Sequence, residues 1–462
     1  MITTGFFMML IQVQFSLTDF RPFLFCCFFL CAPVLSAQES PGYDALLDAY
    51  HSVHGFSGTV KIVTPDSAPF EQSYGLANRS FDVAYTPETR FSINSVSKTF
   101  TALAIMQLVS EGKLDLNKPL SFYLPTLKAD WKNQVSAHHL LTHTSGLPRE
   151  SGIQPYETLS FQEQISTYIN PIQLLFTPGE RYEYSNTGIT LLGALIEQVS
   201  GMTYRDFITM RIIHPLKLEN TGVYEGRNLV RHQATPYRFT SQGIAEAQRT
   251  KHFGDNAGGG LYSTPADLYR FMLAVYSSTL IPQELTEQMF TPHVQSGGND
   301  AEGYAWSIKQ FGDETLYFAA GSGYGTKSVV LFGPETQRFI AITSNWGNTP
   351  ILNLLRDLYL ISRNQTVSLP DSNALARPEH YRQYMGEYHF EPEALKHHLG
   401  MAGGTVHLHE FENKLFMNEE LLATKADGVL GLTYTDEVEI RFTENNLHIR
   451  INNNELTGLK IR

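Results

Sequence analysis

A polar, proline-containing segment divides this chain into two parts of different character. Residues 362–379 read SRNQTVSLPDSNALARPE, a composition typical of a linker. After it, apolar and polar residues alternate in EVEIRF and LHIRI, which the turn TENN separates, and this period of two is typical of half-buried strands. HYRQYMGEYHF, GTVHLHEF and LTGLKIR extend the series. We therefore expect a large first part at residues 38–362, a linker at 363–378 and a small antiparallel β-domain at 379–462.

The first part mixes helical and strand patterns. YDALLDAYHSV predicts a helix and GTVKIVT a strand, and SVSKTFTALAIMQLVS predicts one helix over residues 95–110 that Gly112 ends. Further along, GYAWSIKQ, TLYFAA, KSVVLFG and RFIAITSN predict strands separated by glycine-containing and charged turns. The chain has 462 residues, of which 42% are hydrophobic and 17% charged, so it is long enough to bury a core. We expect an α/β (α+β) fold.

The N-terminus predicts an export signal. Residues 22–35 read PFLFCCFFLCAPVL, an apolar run of signal-peptide length that is too short to span a bilayer. Arg21 precedes it and small residues follow it, so residues 1–37 are expected to be a signal peptide of a periplasmic or secreted protein. A buried N-terminal helix is the alternative. All three cysteines of the chain lie in this segment: Cys26, Cys27 and Cys31. The mature chain would then have no disulfide, thiolate zinc site or cysteine nucleophile.

The charge of the chain argues against one class of partner. The formal net charge is -12 and no run of Lys or Arg occurs, whereas proteins that bind nucleic acid cluster these residues against the phosphates. We expect no nucleic-acid partner and no stable membrane span. The sequence predicts no particular oligomeric state.

The stretch FSINSVSKT places Ser95 three residues before Lys98 at the start of the predicted helix. Residues three apart share a helix face, and the free N–H groups of a first turn can stabilise a developing oxyanion. A lysine in a desolvated cleft can serve as the base that a serine nucleophile needs. The alternative is that Ser95 is a helix N-cap. A second Ser-x-x-Lys, from Ser110 to Lys113, lies at a helix end beside Gly112 and is interpreted as a solvated terminus.

The segment TPGERYEYSNTG, residues 177–188, offers a second pair of polar groups. Tyr184 and Asn186 are two residues apart and project the same way from an extended segment. A phenol can pass protons when a cation lies nearby, and a carboxamide can orient both a lysine and a substrate amide. Another Tyr-x-Asn, at residues 168–170, lacks the Pro-Gly turn and the helix that follows.

Several blocks together resemble the serine β-lactamase-like hydrolase family, which includes class C β-lactamases, DD-peptidases and esterases. In order and spacing they are FSINSVSKTFTALAIMQLVSEGKLDLNKPL, HHLLTHTSGLP, FTPGERYEYSNTG and NAGGGLYSTPADLYRFM. The resemblance covers roughly residues 44–345, and the C-terminal β-domain resembles an accessory domain of many bacterial members. It implies a β-lactamase/transpeptidase-like antiparallel sheet flanked by helices, with a helical subdomain and no cofactor.

The resemblance also implies a role for each matched side chain. Ser95 would be the acylated nucleophile, Lys98 its base partner and Tyr184 the proton shuttle. Asn186 would hold the lysine and the substrate amide. HTSG, residues 143–146, would be a structural turn beside the cleft.

A third family element departs from its pattern in this chain. The family has Lys-Thr-Gly or His-x-Gly on an inner strand, where this chain has Ala319-Ala320-Gly321 within YFAAGSGYGTKS. The missing cation or imidazole helps to bind the carboxylate of penicillin-type substrates, so its absence favours neutral esters or amides. A backbone N–H near Gly321 or Ser322 would still complete an oxyanion hole with that of Ser95, because a main-chain donor does not depend on the side chain.

The histidines receive other interpretations. A metal site at His138, His139 and His143 is the alternative to a structural role, but no carboxylate or thiolate cluster accompanies them, so no metal is expected. His407 and His409 share one face of a predicted strand, interpreted as a solvated surface.

These observations predict an exported serine hydrolase that cleaves an ester or amide through a Ser95 acyl-enzyme. Esterase or peptidase activity is favoured over efficient β-lactamase activity. The expected partner is a small-molecule ester, amide or peptide substrate, bound in a pocket lined by the loops at residues 150–180 and 225–256. The alternative is a catalytically silent cell-wall or peptide-binding protein on the same scaffold.

Overall fold

An antiparallel sheet forms the centre of the first part in this computed structural model. The strands of the first part are β1 Gly58–Thr64, β2 Ser67–Tyr74, β3 Phe91–Ser92, β4 Gly222–Val223, β5 Tyr237–Thr240, β6 Gly243–Glu246, β7 Leu261–Ser263, β8 Val294–Gly297, β9 Asp300–Glu302, β10 Ser307–Phe311, β11 Glu314–Gly323, β12 Thr326–Gly333 and β13 Arg338–Ser344. Among the described residues, the central sheet has the order β2-β1-β13-β12-β11-β10-β9-β8. Every pairing in it is antiparallel.

The structure describes residues 42–153, 157–225, 228–240, 243–247, 256–298, 300–399, 404–425, 428–433, 438–451 and 454–462. The expected signal peptide, with its three cysteines, lies outside these residues. Parts of the two loops expected to line the pocket also lie outside them.

Helices cover both faces of the sheet. They are α1 Tyr43–His54, α2 Ser97–Ser110, α3 Leu120–Tyr123, α4 Ala137–Leu141, α5 Phe161–Gln164, α6 Asn186–Ser200, α7 Tyr204–Ile208, α8 Pro265–Tyr276, α9 Gln283–Phe290 and α10 Ile351–Ser362. Among the described residues from 120 to 208 all the regular elements are helical, and this stretch is the helical subdomain. No described helix is long and apolar enough to cross a membrane.

The sheet separates two apolar cores because successive strand residues point to opposite faces. On β12, Val329 and Leu331 pack with α1 and α10. Val330 and Phe332 on the same strand pack on the other face, in the core that includes α2, α6 and α8. The runs KSVVLFG and RFIAITSN, predicted as strands, are apolar at successive positions because both faces of these strands are covered.

The helix predicted over residues 95–110 is present with a modified start. A single 3₁₀ turn spans Asn94–Val96, and the α-helix α2 begins at Ser97. Residues 97–108 are all buried, as expected for a helix that is apolar around most of its circumference. Gly112, with φ at +68°, follows the helix end by two residues.

The C-terminal part is a closed antiparallel barrel. Its described strands are β14 Gly386–His389, β15 Thr405–Phe411, β16 Lys414–Met417, β17 Glu420–Thr424, β18 Leu430–Leu432, β19 Val438–Phe442, β20 Asn446–Ile451 and β21 Asn454–Lys460, with helix α11 at Pro392–Leu399. β14 pairs with β21 and so closes the barrel. EVEIRF and LHIRI form the hairpin predicted from their alternation, with Ile440 opposite Ile449. In HYRQYMGEYHF only Gly386–His389 is a strand, since 3₁₀ turns precede it.

The barrel packs on the first part through an aromatic contact. Phe239 and Trp346 of the first part share an apolar cluster with Phe416 of the barrel. The ring of His409 stacks on that of Phe239, with centroids 5.4 Å apart and planes at 8°. The expectation of a solvated surface was therefore wrong for His409, because strand alternation does not show that a second domain covers that face. His407 is more exposed, 3.7 Å from Glu387.

Candidate active site

Ser95 lies in the 3₁₀ turn between β3 and α2. Contacts of the preceding residue, Asn94, restrain the backbone of this turn. The preceding residue, Asn94, has φ at +46°, a left-handed conformation that asparagine tolerates better than most residues. Its Nδ2 donates to Thr326 Oγ1 at 3.0 Å, and a Cβ at Gly323 would overlap its Oδ1. The turn between β11 and β12 is thus tied to Asn94, while Ser95 itself is half-buried between buried neighbours.

The hydroxyl of Ser95 accepts hydrogen bonds from the side chains of Lys98 and Tyr184. Lys98 Nζ donates to Ser95 Oγ at 2.8 Å, and the hydroxyl of Tyr184 donates to the same atom at 2.9 Å. No side chain caps either the 3₁₀ turn or α2. The N-cap alternative therefore does not describe Ser95, because its hydroxyl faces the lysine and the phenol.

Lys98 is held in a site that disfavours its charge. The residue is 4% exposed, and Nζ also donates to the carbonyl oxygen of Gly258 at 2.8 Å. Burial, the largest effect, lowers the pKa of Lys98, and Arg149 adds to the decrease, whereas Tyr184 and Glu150 oppose it. A lysine with a lowered pKa can be neutral at moderate pH and accept the proton of a serine hydroxyl.

Tyr184 is positioned from the side by a buried histidine. The rings of Tyr184 and His143 lie 4.6 Å apart at 32°. His143 Nδ1 accepts the N–H of Ser185 at 3.1 Å, which requires the neutral ring. Burial is the largest of the causes that lower the pKa of His143 to about 3. The HTSG segment therefore lies beside Ser95 and its partners, with the ring of His143 against that of Tyr184.

Asn186 occupies the first residue of α6, beside the site, but it has a different partner from the one expected. Its Nδ2 donates to Glu150 Oε1 at 2.6 Å. The hydrogen bonds of Lys98 among the described residues go to Ser95 and Gly258. The expected contact between Asn186 and Lys98 is thus replaced by one with a carboxylate that the sequence did not indicate.

Gly321 lies directly against the 3₁₀ turn that carries Ser95. It pairs with Ser328 across β11 and β12, and a Cβ at this position would overlap the carbonyl oxygen of Ile93 and come within 3.0 Å of Ser95 N. Only glycine lets the strand approach this closely. Ser322, the next residue, is exposed, and Ala319 is 7% exposed within the core, so Ala319 places no charge at the cleft.

The histidines of the metal alternative have protein partners. His138 Nδ1 shares a hydrogen bond of 2.9 Å with the hydroxyl of Tyr304, and His139 Nδ1 accepts the N–H of Ser136 at 3.2 Å. Across the described ranges, no group of three or more His, Cys, Asp or Glu is arranged to hold a metal ion.

Three neighbours of the site were not predicted: Arg149, Glu150 and Gly258. Gly258 begins the Gly-Gly-Gly run of a block already matched to the family, so that block contained the signal. Arg149 and Glu150 directly follow the HTSGLP block in the sequence, but a pair of charged loop residues carries no periodic pattern that would mark it.

Comparisons with known proteins identify the family of the chain. The sequence model of the family described as Beta-lactamase matches residues 43–361. Penicillin-binding protein 4* of Bacillus subtilis (strain 168) is 29% identical over 285 residues, which are 58% of this chain and 62% of that protein. Protein flp of Staphylococcus aureus (strain MRSA252) is 25% identical over 308 residues, 65% of this chain and 61% of that protein. The chain thus spans less than two thirds of the length of these relatives.

Solved structures extend the comparison. The penicillin binding protein from Bacillus halodurans has 27% identity and a TM-score of 0.62, and covers 70% of this chain and 99% of its own. The octameric penicillin-binding protein homologue from Pyrococcus abyssi has 22% identity and a TM-score of 0.64, and covers 90% of this chain and 99% of its own. The likeness in fold therefore extends into the barrel. Because the family match spans well over half of the sequence, the chain belongs to the serine β-lactamase-like family, as its motifs predict.

Proposed function

We propose that the protein is a serine hydrolase that cleaves an ester or amide through an acyl-enzyme on Ser95. One observation carries the proposal: Ser95 Oγ lies within hydrogen-bond distance of both Lys98 Nζ and the hydroxyl of Tyr184. A nucleophile in contact with a base of lowered pKa and with a second proton carrier is the arrangement that nucleophilic catalysis requires. Relatives named as penicillin-binding proteins and a structural neighbour named as a D-amino acid amidase support the same reaction class.

The reaction follows from the contacts of these three side chains. Ser95 Oγ bonds to the substrate carbonyl carbon while its proton passes to neutral Lys98. The bond to the leaving group then breaks, and the leaving group takes a proton from Tyr184, which Lys98 restores. Water attacks the acyl-enzyme and gives up a proton to the same pair, and Ser95 leaves as its hydroxyl is reprotonated. The backbone N–H groups of Ser95 and Ser322 are the proposed donors to the oxyanion.

The third element of the site bears on the substrate. Ala319 is buried and uncharged, so the strand beside the nucleophile lacks the side chain that holds the carboxylate of penicillin-type substrates in the family. We therefore favour esterase or peptidase activity, on a small-molecule ester, amide or peptide, over efficient β-lactamase activity.

Residues 22–35 support export to the periplasm or medium, and N-terminal sequencing of the protein from the producing cell would test that part of the proposal.

A substrate panel tests the reaction class. We expect wild type to hydrolyse at least one member of a panel of p-nitrophenyl esters, D-Ala peptides, D-phenylalanine amide and nitrocefin, and Ser95→Ala to hydrolyse none. Ser110→Ala is the matched control, since Ser110 belongs to the other Ser-x-x-Lys and donates to Gln107 O at the helix end. Full turnover by Ser95→Ala would overturn the mechanism.

A catalytically silent binding protein is the second candidate, and the uncharged Ala319 is the observation that favours it. Labelling separates the two. A fluorophosphonate or a fluorescent penicillin should add its mass to the peptide that carries Ser95. If neither probe labels Ser95 in the folded protein, the result favours the binding protein and contradicts the hydrolase.

A further inference from the structure

Arg149 places an exposed positive charge beside the reacting groups. Its guanidinium carbon lies 4.8 Å from the centroid of the Tyr184 ring, and Lys98 Nζ lies 5.1 Å from the same centroid. The carbonyl oxygen of Arg149 accepts the N–H of Asn186 at 2.8 Å. The backbone of Arg149 is therefore fixed to the start of α6, while its side chain is exposed beside Tyr184.

The charge of Arg149 is not neutralised by a protein partner. Within the part of the chain that the structure describes, its guanidinium has no hydrogen bond and no ion pair. The neighbouring carboxylate, Glu150, is engaged by the carboxamide of Asn186. The chain has 46 acidic and 34 basic residues, yet none of the described carboxylates pairs with this guanidinium, so its charge is available to a ligand.

The position of Arg149 indicates which part of a substrate it would meet. In the proposed reaction Tyr184 gives its proton to the leaving group, and Arg149 flanks the ring of Tyr184. A group that contacts the guanidinium therefore lies on the leaving-group side of the scissile bond. The planar guanidinium binds a carboxylate through two parallel hydrogen bonds.

We propose that Arg149 is a specificity-determining residue that binds a carboxylate carried by the leaving group of the substrate. This inference rests on the proposed function. It assigns anion recognition to the segment that follows HTSG rather than to the strand position that Ala319 occupies. Substrates with an anionic leaving group then bind and react better than their neutral counterparts.

A purely structural role for Arg149 makes a different prediction. A cation beside a half-buried ring contributes about 0.5–1 kcal/mol and would support Tyr184 equally for every substrate. Loss of that support would lower the rate for charged and neutral leaving groups by the same factor. The two accounts therefore differ in the ratio of the rates.

A matched pair of esters measures that ratio. Both are aryl esters of phenylacetylglycine; the leaving group is 3-hydroxybenzoate in one and methyl 3-hydroxybenzoate in the other. We expect Arg149→Ala to lower kcat/KM for the anionic ester by about 10- to 100-fold, the size of a charge-assisted hydrogen bond, and for the neutral ester by less than about fivefold. Arg149→Lys should keep part of the preference, because it retains the charge but not the planar geometry. Added salt should reduce the preference of the wild type.

Arg181→Ala is the control. Arg181 is exposed and stacks on Phe176 at 4.0 Å, but it pairs with Glu180, so both esters should react as with wild type. Equal losses on both esters in Arg149→Ala, or no loss on either, would overturn the inference while Ser95-dependent hydrolysis of the neutral ester left the proposed function intact. Hydrolysis of panel members but of neither ester by wild type would overturn the inference alone. No hydrolysis of the esters or of any panel member by wild type, or undiminished hydrolysis by Ser95→Ala, would overturn both.

Discussion

Lys98 Nζ donates to Ser95 Oγ at 2.8 Å although the lysine is buried and the serine is not. The proposed base is thus buried, while the proposed nucleophile is partly accessible to solvent. The (i, i+3) spacing accounts for the contact, because it places the two side chains on the same face. The same spacing from Ser110 to Lys113 has no such outcome, because Ser110 bonds to Gln107 O.

Lys98→Met is expected to lower kcat/KM strongly and to preserve the fold. Methionine has a similar length and suits a buried position, whereas it cannot accept a proton, so we expect kcat/KM to fall by about 10²–10⁴. Steady-state kinetics on the best substrate of the panel measures the loss. Lys113→Met, at the exposed second motif, is the control and should retain full activity. A Lys98→Met variant that hydrolyses substrate at more than about a tenth of the wild-type rate would exclude Lys98 as the base.

The lowered pKa of Lys98 also predicts how stability depends on pH. Burial lowers the folded-state pKa of Lys98 below the ordinary lysine value, so the unfolded chain binds more protons between the two values and stability rises with pH there. Below that window the full cost of burying the charge remains. We expect Lys98→Met to be more stable than wild type at neutral pH and the difference to shrink as pH approaches about 10. Urea unfolding at several pH values measures it, and a difference that grows with pH would contradict the assignment.

Gly321→Ala is expected to damage both the fold and the site. A Cβ at Gly321 would overlap the carbonyl oxygen of Ile93 and lie 3.0 Å from Ser95 N, and backbone atoms on both sides have little freedom to move. We expect a loss of about 1–3 kcal/mol in unfolding free energy together with slower acylation. Gly42→Ala, where a Cβ would meet nothing within 4 Å, should change stability by less than about 1 kcal/mol and leave acylation unchanged. Unaltered acylation in Gly321→Ala would contradict this prediction, because it would show that β11 can move away from the turn that carries Ser95 without loss of function.

The sequence predicted the helices and strands that have a local or periodic pattern of apolar residues. The alternation of EVEIRF and LHIRI predicted their pairing, and the apolar run after Ser95 predicted α2. Closure of the barrel depends on the pairing of β14 with β21, a contact about 70 residues apart in the chain that no local period records. The stacking of His409 on Phe239 depends on a second domain for the same reason.

The contacts of the candidate site also fall into those that the sequence predicted and those that it did not. Ser95, Lys98 and Tyr184 come together as their motifs predict, since each motif lies at a helix start or on a segment that the fold places at the cleft. Asn186 was expected to contact Lys98, yet Glu150 takes its carboxamide. A competition between two polar partners is decided by a few ångströms of loop geometry, which motif spacing does not encode. The role of each of these residues in turnover stays a prediction until the variants are measured.

His143 is expected to act as a positioning residue for Tyr184. Its Nδ1 accepts the N–H of Ser185 and its ring lies against the phenol. His143→Ala removes both supports, so we expect kcat to fall by about 10- to 100-fold with little change in KM, since the phenol loses its placement and the substrate contacts remain. His143→Asn should recover part of the rate, because Asn Oδ1 can accept the same N–H and asparagine tolerates the positive φ of 56° at this position.

The lowered pKa of His143 also predicts how stability depends on pH in the acid range. The pKa of His143 is lowered to about 3, mainly by burial, from an ordinary value of 6.5. The unfolded chain therefore binds more protons between these values, and stability falls as pH decreases from about 6.5 towards 3. Thermal melting of wild type and His143→Asn across this range should show a smaller loss in the variant, because no imidazole remains to be protonated on unfolding. Equal acid sensitivity of the two proteins, with equal kcat, would mean that His143 neither titrates on unfolding nor positions Tyr184.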